Sequence, residues 1–163
     1  MILTLQLLLF VGGHAISALL FYFFHRVIFH GPLARYPVFK QWAAIHTRHH
    51  ARPGEPGAFF FTWWANAAIW ALTASALYAA PAFGAGMISF FCVYAYNHIS
   101  AHAGSPSRQS HHHLSHHYVA PKANFSVSYP ALDKLFGSYH RVSPDALAAK
   151  IIRVQRSEKK KCD

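Results

Sequence analysis

Residues 2–30 read ILTLQLLLFVGGHAISALLFYFFHRVIFH: an uncharged run of 23 residues, 2–24, followed by two histidines five positions apart. At 1.5 Å per residue the run is about 34 Å long as a helix, enough to cross a bilayer. No Lys or Arg precedes it, so it lacks the basic start of a signal peptide and reads as a transmembrane helix.

Outward from this stretch the pattern repeats. Residues 58–80, AFFFTWWANAAIWALTASALYAA, form a second uncharged run. Pro81 and Gly84 then punctuate the chain, and residues 85–97 stay apolar until His98. Of the 15 Lys and Arg residues, five lie between 25 and 57 and ten between 103 and 163. The positive-inside rule places both basic segments in the cytoplasm, which takes three passes and sets Trp63 and Trp64 near the interface. The expected fold is therefore all-α: one membrane domain over 1–163 with about three transmembrane helices and a cytoplasmic helical cap.

Composition agrees with a membrane setting. Only 12% of residues are charged and 53% are hydrophobic, against about a quarter charged in an ordinary soluble domain. The net charge of +10 raises nucleic-acid binding, but the charges flank apolar runs instead of forming a phosphate-binding stripe, so no nucleic-acid partner is expected. Cys92 and Cys162 make neither a disulfide framework nor a C-x-x-C metal site. The tail 150–163, KIIRVQRSEKKKCD, reads as a frayed basic surface helix, with contact to anionic lipid as the alternative.

Fourteen histidines are the outlying feature, and ten fall into four clusters. His25 and His30 form H-x4-H; His46, His49 and His50 form H-x2-H-H; His98 and His102 form H-x3-H; His113, His116 and His117 form a second H-x2-H-H. Residues three and four apart share one helix face, so each triplet aims three imidazoles one way. The first pair is different, because five residues turn an α-helix by about 500°. Those two converge only around a metal between them, at a helix end, or across a π-bulge. All ten lie in or beside the segments that Lys and Arg place in the cytoplasm. Ten imidazoles exceed the four ligands of a closed zinc site and suggest two metal ions. Ligand type alone leaves iron, copper and zinc open. The five carboxylates, Glu55, Asp133, Asp145, Glu158 and Asp163, are too few for a carboxylate-rich di-iron site.

Through HRVIFHGP, HTRHH, HISAHAGSP and HHHLSHHYVAPKANFSVSYPALDKLFGSY, roughly residues 20–140, the chain resembles the fatty acid hydroxylase (sterol desaturase) superfamily of membrane di-metal oxygenases. The cluster spacing is most similar to fatty acid 2-hydroxylases, with carotenoid ring hydroxylases and sterol-modifying members as alternatives. The resemblance implies two iron ions held by the ten clustered histidines, with zinc able to replace them in purified protein, and O2 as co-substrate. It implies hydroxylation of a lipid in an integral membrane setting, with the metals on the cytoplasmic side of a bacterial inner membrane or of the endoplasmic reticulum. ARPGEPGAFFFTWW after His50 lacks the arginine- and proline-containing stretch of the 2-hydroxylases, and no fused haem-binding donor is present, so electrons would come from a separate protein. A non-enzymatic metal-binding membrane protein is the reading from a different class.

The remaining polar residues divide less sharply. Phe59, Phe60, Phe61 and Trp64 read either as a shield for the oxidant or as ordinary lipid-facing and core aromatics. His111 and His112 adjoin the last triplet and read as ligand-supporting or surface residues; His140 reads as surface. Asp133 is expected either to accept a hydrogen bond from a ligand imidazole or to serve a turn. Asn97 and Asn124 read as caps or as supports of the ligands. His14 is a polar residue in a membrane helix, an interior position by default, with no partner legible in the sequence.

Overall fold

The uncharged run at the N-terminus becomes helix α1 (Ile2–Phe23), and the same rod continues as a π-helical segment over Phe24–Phe29. This computed structural model describes residues 1–53 and 63–162, and all regular structure among them is helical. A short 3-10 turn (Pro32–Arg35) leads into α2 (Pro37–Ala51). Then come α3 (Trp63–Ala79), α4 (Pro81–His102), α5 (Arg108–Tyr118), α6 (Pro130–Leu135) and α7 (Pro144–Cys162). Proline opens α2, α4, α6 and α7, at the helical position where its missing N–H costs nothing and its fixed φ is already helical.

The chain divides into two compact units, Met1–Tyr96 and Asn97–Asp163, with the boundary inside α4. In the first unit α1 exposes Leu3, Leu7, Leu8 and Val11, apolar area of the kind a bilayer covers. Ile2–Phe29 is the stretch that is long and apolar enough to cross a membrane among the described residues. Helix α3 has 17 residues there, and α4 continues through His98 to His102. The second and third passes therefore rest on the sequence runs and their flanking charges.

Small residues let α1 and α4 approach closely. A Cβ on Gly13 would fall on the carbonyl oxygen of Phe83, and one on Gly86 on that of Phe10. Around this crossing Ser17, Ala18, Tyr22, Met87 and Phe90 are buried. His14 also has a partner that the sequence did not reveal: its Nδ1 lies 3.2 Å from Ser89 Oγ.

In the second unit Gly104 takes φ +84°, a conformation that costs glycine little, and so ends α4. Ser105 N then donates to Ser100 O and Gly104 N to Ala101 O, closing the helix end. Three residues later Ser107 caps α5, its Oγ accepting from Ser110 N at 3.0 Å. Helix α7 is continuous over 19 residues, packs against α5 and buries Leu147; the expected frayed tail is a regular helix.

The two kinds of glycine in this region make opposite predictions. Gly86→Ala should lower the thermal midpoint, because overpacking against backbone costs about 1–3 kcal/mol or more. Gly12→Ala should not lower it, since nothing lies within 4 Å of the added Cβ. Thermal unfolding of both variants, followed by circular dichroism, checks this; equal midpoints would contradict the close α1–α4 packing.

Candidate metal centre

The i+5 spacing of His25 and His30 is accommodated by the backbone itself. His30 N donates to His25 O at 3.2 Å, the i→i+5 bond of a π-helix, and brings the two rings to 5.1 Å between centroids. Helix α2 then presents His46 and His50 four residues apart on one face. The ligand-capable nitrogens of His25, His30, His46 and His50 all lie within 4.8 Å of one another. His46 Nε2 is the hub, at 3.1 Å from His25 Nε2, 2.8 Å from His30 Nε2 and 2.9 Å from His50 Nε2.

A second group forms in the other unit from the last turn of α4 and from α5. His98, His102, His113 and His117 bring their ligand-capable nitrogens within 4.8 Å of one another. Here His113 is the hub, its Nε2 3.1 Å from the Nε2 atoms of both His102 and His117. Both pairs, His98/His102 and His113/His117, have the i,i+4 spacing that stacks side chains on one face.

These contacts are not a hydrogen-bond network. One imidazole nitrogen carries either one hydrogen or one in-plane lone pair, so His46 Nε2 satisfies at most one of its three neighbours. The distances fit the edge of a coordination polyhedron instead. With metal–nitrogen bonds of about 2.1 Å, ligands at right angles lie about 3.0 Å apart and tetrahedral ligands about 3.4 Å. The observed 2.8–3.1 Å is close to such an edge. Each group can therefore hold a metal ion.

Burial keeps His30, His102 and His113 in the neutral, ligating form. It lowers the pKa of His30 and of His102 from 6.5 to about 4. His113 is also held well below its ordinary value, by burial first and then by His117, His98, His102 and His116.

Two of the ten expected ligands remain, and both are buried. His49, on α2, is 2% exposed, its ring centroid 6.0 Å from that of His46. His116, on α5, is fully buried, and its Nδ1 donates to Ala123 O at 2.7 Å. That bond puts the ring hydrogen on Nδ1 and makes Nε2 the nitrogen able to ligate.

The other polar residues are now placed. His112 donates from Nε2 to Asp133 Oδ2 at 2.8 Å, so the imidazole on Asp133 belongs to none of the ten. Asn124 is no helix cap: it sits at φ +56° and its side chain pairs with the backbone of His140. Asn97 lies inside α4 and is no cap either. His140 is exposed, as expected, and His111 is half-buried. Phe59, Phe60 and Phe61 lie outside the described residues. Trp64 does not; it joins Phe24, Trp42, Ile69, Met87 and Phe91 around an apolar cavity of about 210 Å³. No sequence signal marked that cavity, because its walls come from four separate helical segments.

The lowered pKa values predict an acid response. Between about pH 6.5 and 4 the unfolded chain takes up protons that buried His30 and His102 refuse, so stability falls as pH drops through that window. Chelator-treated protein should show a falling thermal midpoint from pH 7 to 4.5. A flat midpoint would contradict the buried, neutral state of these rings.

A family model described as fatty acid hydroxylase matches residues 10–138. No curated protein and no solved structure matches the chain.

Proposed function

The chain belongs to the fatty acid hydroxylase family, and from that premise we propose that it is a three-pass membrane di-iron oxygenase that hydroxylates a C–H bond of a lipid. The observation that carries this reading is the pair of four-histidine groups whose nitrogens stand about one coordination edge apart. One ion would be held by His25, His30, His46 and His50, the other by His98, His102, His113 and His117, with His49 and His116 as further ligands. Iron is the metal typical of the family, and neutral nitrogen accepts it.

When bound, iron supplies the redox chemistry by which O2 is reduced and a C–H bond oxidised. The overall balance is RH + O2 + 2e⁻ + 2H⁺ giving ROH + H2O, with electrons from a separate electron-transfer protein. The chain's own residues bind and shield. The apolar cavity of about 210 Å³ suits a stretch of acyl chain, because its walls are almost wholly hydrocarbon and aromatic. Trp42, on the cavity wall, precedes His46 by one turn of α2, and Phe24 immediately precedes His25. An acyl chain lying there would run towards the first histidine group and keep water from its approach.

The Lys and Arg distribution puts the histidine segments on the cytoplasmic side, where O2, protons and electrons arrive while the lipid enters laterally. The resemblance of the cluster spacing to that of fatty acid 2-hydroxylases favours a fatty acyl or sphingolipid-like substrate.

Cells expressing the chain should accumulate a lipid heavier by one oxygen atom, detected by untargeted lipidomics against cells without it. Ala68 also lines the cavity, and Ala68→Phe, which would fill it, should lower that product roughly tenfold or more while leaving metal content intact. No oxygenated lipid from metal-replete protein supplied with electrons would overturn the enzyme reading in favour of metal handling. Full activity of Ala68→Phe would exclude the cavity as the substrate's seat.

A further inference from the structure

Asp133 is fully buried and accepts four hydrogen bonds. Its Oδ1 takes Phe125 N at 2.7 Å and Ser138 Oγ at 2.7 Å. Its Oδ2 takes Ser126 N at 2.9 Å and His112 Nε2 at 2.8 Å. Four donors fill the lone-pair sites of an ionised carboxylate, and charge-assisted bonds are the strong ones. One carboxylate thus ties α5, through His112, to the backbone of the 123–128 loop and to Ser138.

The loop it secures carries a specific carbonyl. Ala123 O and Asn124 N belong to one peptide unit, in which C=O and N–H point in opposite directions. Asn124 N donates to Ser138 O at 2.8 Å, which aims Ala123 O the other way, where it accepts from His116 Nδ1 at 2.7 Å. Asn124 holds the turn at φ +56°, a region its side chain tolerates. It also braces the turn against His140, accepting from His140 N at 2.7 Å and donating to His140 O at 2.9 Å.

We propose that Asp133 is a positioning residue: it fixes the 123–126 backbone so that Ala123 O holds His116 in the Nδ1–H tautomer, the form in which Nε2 is the ligating nitrogen. The inference rests on His116 being a ligand, as proposed above. It gives the chain's one buried carboxylate among the described residues a task on the metal site without placing it on the metal. His112 is then a strut, its proton committed to Asp133, and not an eleventh ligand.

Asp133→Asn keeps the shape but leaves one accepting oxygen and turns an N–H2 towards two donors. The probe is zinc, titrated against a competing chelator, together with ¹⁵N chemical shifts of the His116 ring. Asp133→Asn should weaken zinc binding about 10- to 100-fold, the usual cost of losing a residue that orients a metal ligand, and should shift His116 away from the Nδ1–H form. Ser138→Ala removes one donor only and should stay folded, with a smaller shift in the same direction. In a His116→Ala background Asp133→Asn should have no further effect on zinc affinity, because the residue it acts through is gone. Additive losses in the double variant, or an unchanged His116 ring in folded Asp133→Asn and Ser138→Ala proteins, would overturn the positioning role. Wild-type zinc affinity in His116→Ala alone would instead overturn the ligand reading beneath it.

Discussion

Imidazole nitrogens packed about 3 Å apart, with too few protons to share, repel one another unless a cation lies among them. This constraint governs the molecule. His46 and His113 each sit at the hub of such a group, and the helices around them are shaped to keep those nitrogens together. Burial adds to the demand, since it disfavours the protonated rings that would otherwise relieve it.

The cost of convergence shows in the backbone. An ordinary α-helix would send His25 and His30 to different faces, and the chain adopts a π-helical turn between Phe24 and Phe29 instead. At the other group Gly104 and the Ser107 cap reverse the chain between α4 and α5 within a few residues. Backbone irregularity is concentrated next to the histidines, where strain is expected to serve a site.

Much of this was legible in the chain. The i,i+4 spacings showed which imidazole pairs stack on one helix face, and the i+5 spacing of His25 and His30 called for a π-bulge, a helix end or an intervening metal. The long apolar run 2–24 was equally plain. The rest depended on contacts that no period encodes. Asp133 reads in the sequence as a support for a ligand imidazole or for a turn; it does hold the backbone at Phe125 and Ser126, but its imidazole partner is His112, because the direction of the loop between Ala123 and Ser128 decides which ring it meets. The Ala123 carbonyl has no side-chain signature at all, and the link from His14 to Ser89 spans 75 residues. The three-pass arrangement stays a reading of charge and hydropathy, with α1 as the span the described residues support by length and apolarity.

The central claim is that each four-histidine group holds one ion, and metal stoichiometry tests it most directly. Elemental analysis of freshly purified, folded protein should give about two transition-metal ions per chain, falling to about one in His46→Ala and in His113→Ala. Zinc in place of iron would satisfy the account, since neutral imidazole takes either. One ion or none in folded, active wild-type protein, or two in both hub variants, would contradict it.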